Sequence, residues 1–169
     1  MSDRIAAEIY IGGQVKRSVI SALLEAIERE GLEQDWGLAL PRLETEEALL
    51  KRVNDEGVLR FYATYALWGE LRDLEDFLTE HCIAFDRHHG PYGEYSGETR
   101  RYRPGMKKPV SCLADDGGNF LIEADAVADL RRCLKGIRGK RGTQRALGKL
   151  NRLLAGADIP DLPPFKVVD

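Results

Sequence analysis

Long hydrophobic runs, cysteines and recognisable catalytic signatures are what this chain has least of. No stretch approaches the roughly 18 consecutive apolar residues that a membrane-spanning helix needs. The apolar run at residues 5–11 is too short and too mixed for a secretory signal. These two absences lead to the expectation of a soluble protein with no membrane partner. The chain has 3 cysteines, Cys82, Cys112 and Cys133. An odd number at wide spacing argues against a disulfide framework and for reduced thiols in a cytoplasmic setting. All three read as small buried hydrophobes.

No CxxC or HExxH pattern occurs, and Ser18, Ser21, Ser96 and Ser111 lie in no G-x-S-x-G context. His81, Asp86, His88 and His89 are of metal-ligating type. Adjacent histidines on a strand, however, point to opposite faces, and no histidine pair has the helical i, i+4 spacing. Asp115 and Asp116 fit the backbone demands of a turn. The sequence therefore assigns no catalytic residue, no metal site and no cofactor.

What is present is a marked separation of charge. The net charge of −3 comes from 25 basic and 28 acidic residues. Nine of the basic residues lie between Arg131 and Arg152, a window with no Asp or Glu. The rest of the chain, with 16 basic and 28 acidic residues, carries −12. A split of this size points to an anionic partner for the basic segment.

Periodicity supplies the elements. Alternation over residues 4–11 predicts a first strand. Val15, Val19, Ile20, Leu23, Leu24 and Ile27 predict an amphipathic helix ended by Gly31. Residues 32–41 read equally as a short strand or a packed loop, with Trp36 as edge or core packing. Thr45 is placed to cap a second helix through Val53. Residues 58–66 form the strongest strand pattern, apolar on nearly both faces and so expected to be central. A helix holding Leu71, Leu74, Phe77 and Leu78 and a strand at 83–87 follow it. Residues 99–103 suit a strand, and 110–114 with 119–123 suit a hairpin around Asp115-Asp116-Gly117-Gly118. Val127, Leu130 and Leu134 mark another helix. Thr143 is placed to cap a last one, carrying Leu147, Leu150 and Leu154 as a core-facing stripe.

This order predicts an α+β fold, a layered sandwich of a mixed or antiparallel sheet with helices, consistent with a ferredoxin-like core, plus a C-terminal basic helix. The expected division is an α+β core at residues 1–135 and a second part at 136–169. That second part comprises a basic linker at 136–142, the terminal helix and a Pro-rich tail, packed on or extending from the core.

Two basic clusters are the candidate sites. Arg138, Lys140, Arg141, Thr143, Arg145 and Lys149 surround an expected helix N-terminus, where free amides and cations attract phosphate or carboxylate groups. The lack of a preceding strand, and Arg141 after Lys140, exclude a Walker-type loop. Docking of this arm onto the chain's own acidic body is the competing reading. Arg100, Arg101, Tyr102, Arg103, Lys107 and Lys108 form the secondary basic and aromatic patch, of the composition that stacks bases and holds phosphates. The function expected is a non-enzymatic binding protein whose basic C-terminal arm engages nucleic acid or an acidic protein surface. One alternative is an accessory or inhibitor protein, such as a phage or mobile element encodes, acting by protein contacts. Another is an enzyme with its site around His88 and Tyr95.

Overall fold

A computed structural model describes residues 3–137 and 139–169 of the chain. The first strand, β1 (Arg4–Gly12), buries Ile5, Ala7, Ile9 and Ile11 and turns Glu8 and Tyr10 to the other face, as a period of two requires. A short strand, β2 (Gln14–Lys16), and a single 3-10 turn lead into α1 (Ile20–Arg29), which buries Leu23, Leu24 and Ile27. The helix thus starts later than its apolar spacing predicts, because Val15 is claimed by β2. Residues 32–41 form two very short strands, β3 (Glu33–Asp35) and β4 (Leu38–Ala39), joined by a turn through Gly37 at φ 70°.

Next comes α2 (Glu46–Leu50), capped as the sequence predicts, with Thr45 Oγ1 accepting from the Ala48 amide at 3.1 Å. The strand β5 (Leu59–Leu67), the helix α3 (Arg72–Glu80) and the strand β6 (Ala84–His89) follow. Two further strands, β7 (Gly97–Tyr102) and β8 (Val110–Ala114), precede α4 (Ala124–Lys135) and α5 (Gly139–Leu154). The chain closes with β9 (Lys166–Val168).

The main sheet has seven strands in the order β4-β3-β5-β1-β6-β7-β8, paired antiparallel. The connections β1–α1–β3 and β5–α3–β6 each pass over one intervening strand. They are two split β-α-β units, and their strands lie β3-β5-β1-β6, the ferredoxin-like arrangement. Helices α1 and α3 cover one face and enclose the core with Ile9, Ile11, Phe61, Leu74 and Phe85. Each such side chain contributes roughly 1.5–3 kcal/mol by burial. The anticipated second strand at 119–123 shrinks to one bridge between Ala114 and Phe120. The Asp115 carboxylate accepts from the Gly117 and Asn119 amides at 2.9 and 2.8 Å, curling the chain toward α4.

The Pro-rich tail is extended, as its composition predicts, and it is docked. The Gly13 amide donates to Pro163 O at 2.9 Å, the Phe165 amide to Gly57 O at 2.8 Å, and β9 pairs in parallel with β2. Gly12 makes the approach possible, since a Cβ there would stand 2.1 Å from Pro163 O.

Candidate binding surface

The basic segment folds as a helical hairpin. Helices α4 and α5 pack chiefly on each other, and Lys149 reaches Asp129 across the pair at 3.5 Å. Burial is thin: α4 has no buried residue and α5 buries Ala146. The hairpin is seated at the end of α5, where Gly156 lies so close to β8 that a Cβ would come within 1.8 Å of Cys112 Sγ.

Of the predicted site residues, Arg138 lies outside the described residues. Lys140 and Arg141 stand in the first turn of α5, and Arg145 follows one turn later, all three exposed. Lys149 is half-buried at the Asp129 contact. Thr143 is not the cap: α5 begins at Gly139, so Thr143 sits a turn inside and its hydroxyl donates back to Gly139 O at 3.4 Å. Residues 139–142 belong to this helix and not to a flexible linker. The first turn of α5 carries no acid, so its free amides and the two cations add to one positive potential.

Among the described residues, no salt bridge joins a cation of α4 or α5 to the acidic body. Among the described residues, the acid that meets hairpin cations is Asp129, on α4 itself, paired with Arg132 and Lys149. Salt bridges to Arg132 and Lys149 hold the Asp129 carboxyl below the usual carboxylate range, the Arg132 charge being the larger cause. Arg131, Lys135, Lys140, Arg141, Arg145 and Arg152 are exposed.

The secondary patch does not assemble. Register splits it between two faces: Tyr102 pairs with Phe85 and Arg101 with Asp86. Tyr102 is buried and stacks on Phe85. Arg103 is buried too, clamped on Asp86 at 2.6 and 3.0 Å and on Pro160 O at 2.9 Å. Arg100 turns to the helix side, 2.8 Å from Glu75 but off line for a hydrogen bond. Lys107 and Lys108 alone of the six remain exposed. A run of charges in a strand alternates sides, which a one-dimensional count does not reveal.

His88 and His89 point to opposite faces, as strand geometry requires. His88 lies 3.2 Å from Thr99 Oγ1 and 3.3 Å from Asp116 O on the open face. His89 is buried on the helix side beside Gly90 O, and burial lowers its pKa below the ordinary 6.5. Among the described residues no group of three or more His, Cys, Asp or Glu side chains is placed to hold a metal, and no helix is long and apolar enough to cross a membrane.

Two features escape a reading of the sequence. One is a cleft of about 340 Å³ on the open face, with Glu8, Tyr10, Asp86, His88, Thr99 and Arg101 in its walls. Its groups satisfy one another: Glu8 accepts from Tyr10 at 3.1 Å and from Arg60 at 2.7 Å, and Asp86 is held by Arg103. Burial and the Glu8 charge raise the Tyr10 pKa, so its phenol stays protonated at neutral pH. The alternation of β1, β6 and β7 was the signal that placed these residues together. The other feature is the hairpin's apolar stripe, expected to face the core. Val127, Leu134 and Leu147 are instead 48%, 51% and 52% exposed.

The fold and surface together define an α+β sandwich of ferredoxin-like core carrying an exposed, basic and partly apolar helical hairpin. Neither a protein-family model, nor a curated protein, nor a solved structure matches the chain.

Proposed function

We propose that this chain is a binding protein, without an enzymatic role, that engages an acidic protein surface through the α4–α5 hairpin. The observation that carries the reading is the set of six exposed hairpin cations without an acidic partner among the described residues, on helices that bury almost nothing. Uncompensated charge of one sign raises the encounter rate with the opposite sign and selects partners by charge. An acidic protein suits the surface better than a nucleic acid for two reasons. Exposed Val127, Leu134 and Leu147 have no role against a phosphate backbone but match the apolar centre of a protein interface. A long duplex laid on the hairpin would also run beside a body that, with 16 basic and 26 acidic residues outside the hairpin, carries −10.

The test is binding of the full chain to polyglutamate, duplex DNA and single-stranded RNA across a salt series. Polyglutamate binding should weaken with salt and fall about tenfold when Lys140, Arg141 and Arg145 are all changed to Gln. Unchanged binding in that variant removes the hairpin from the mechanism. Tighter binding to duplex DNA, with a log–log salt slope of about −0.9 per phosphate contact, makes nucleic acid the partner and overturns the reading.

A further inference from the structure

We propose that the apolar side of the hairpin receives an acidic amphipathic helix presented by the partner protein, laid along the groove between α4 and α5. This deepens the binding role just proposed and rests on it. Val127 and Leu134 are seven residues apart and share one side of α4. On α5, Leu147, Leu150 and Leu154 share one side, with Lys140 two turns before Leu147 on the same stripe. The Asp129–Lys149 contact marks the opposite edge of the pair, because Asp129 and Lys149 each stand two residues beyond Val127 and Leu147. One open edge of the hairpin is therefore apolar, and the other is polar.

About half of each of the side chains Val127, Leu134 and Leu147 is in water. A third helix in the groove would bury them by inserting its own i, i+3, i+4 and i+7 residues between the two existing rows. Charge selects the occupant. Arg131 and Lys135 follow Val127 at four-residue steps and line the stripe on α4, while Lys140 lines it on α5. A helix with Glu or Asp beside its apolar face would meet these cations. A second copy of this chain would bring Arg131, Lys135 and Lys140 against their own twins, and like charges at an interface are unfavourable. The occupant is therefore an acidic helix from another protein.

The experiment uses the full chain and a synthetic peptide about five turns long. It carries Leu at helical spacing and Glu at the other positions. The controls are the same composition interrupted by two central prolines, polyglutamate, and vesicles containing phosphatidylserine. The helical peptide should bind at least about tenfold tighter than the proline-broken one. The double variant Leu134→Ser, Leu147→Ser should lose at least about tenfold in affinity for the helical peptide while keeping its polyglutamate affinity. Its circular dichroism spectrum and unfolding midpoint should be retained, since both side chains are already half in water. Should that variant not fold, Val127→Thr gives the same comparison. Equal binding of the two peptides overturns the proposal, as does an unaltered double variant. A dimer in sedimentation that the double variant dissolves assigns the groove to a second copy, and preference for the vesicles assigns it to a lipid surface; either result overturns it. If helical peptide and polyglutamate both fail to bind at low salt, the basic-hairpin reading falls as well. If polyglutamate binds and the apolar groove makes no difference, only the helix proposal falls.

Discussion

At the scale of single residues, the most consequential side chain is Arg87, fully buried beneath α3. Its Nε donates to Glu75 Oε1 at 2.9 Å, its second amino group pairs with Glu98, and its Nη1 has no partner among the described residues. Glu75, 3% exposed, also accepts from the Leu71 amide and faces Arg100. Charges placed in the interior are costly unless matched, and removing one partner strands the other. Glu75→Ala should therefore cost about 3–5 kcal/mol of unfolding free energy in urea denaturation. Glu75→Leu with Arg87→Met should recover most of that loss, because Glu98 and Arg100 remain partly in water and can be hydrated. A double variant as unstable as the single one would mean that packing, and not stranded charge, sets the cost. Cys82 is a second residue that departs from expectation. It is exposed, not buried, because it takes the left-handed position that ends α3, at φ 55°, while the Ile83 amide returns to Leu78 O at 2.8 Å. Glycine is the usual occupant of that position, so composition gave no signal of it.

At the scale of elements, what could be read from the sequence was whatever depends on neighbours in the chain. The alternation of β1, the dense β-former run of β5, the stripe of α3 and the Thr45 cap all follow from short-range rules, and each stands where its pattern placed it. What could not be read depends on partners far away. Val15 fits an amphipathic helix by spacing, yet it lies in β2 because β9 arrives beside it. The patch at residues 100–108 reads as one surface until pairing with β6 sends its members to different sides. Thr143 has a capping side chain, but the helix nucleates a turn earlier. The stripes on α4 and α5 have the period of core faces, and periodicity does not say whether anything covers them. The seat of the hairpin gives a prediction at this scale. Gly156→Ala would press a methyl group onto Cys112 and should cost about 1–3 kcal/mol. Hydrogen exchange should show the amides of α4 and α5 losing protection while those of β1 and β5 keep it. Equal loss in both places would show that the hairpin and body open as one unit.

At the scale of the whole molecule, the tail closes the fold. Phe165, 6% exposed, packs into the core; residues 13 and 57 hold the tail through backbone hydrogen bonds, and the Arg103 side chain donates to Pro160 O. Phe165→Ala should cost about 3–5 kcal/mol, measured by thermal or chemical unfolding. A loss below about 1 kcal/mol would show that the backbone contacts alone fasten the tail. The pairing of β2 with β9 also has a consequence for synthesis. The strand that β2 requires is made after β1 to α5, so β2 stays unpaired until all of those elements have been synthesised. A chain that lacks the tail would therefore present β2 as an open strand edge, the kind of backbone template on which other chains pair.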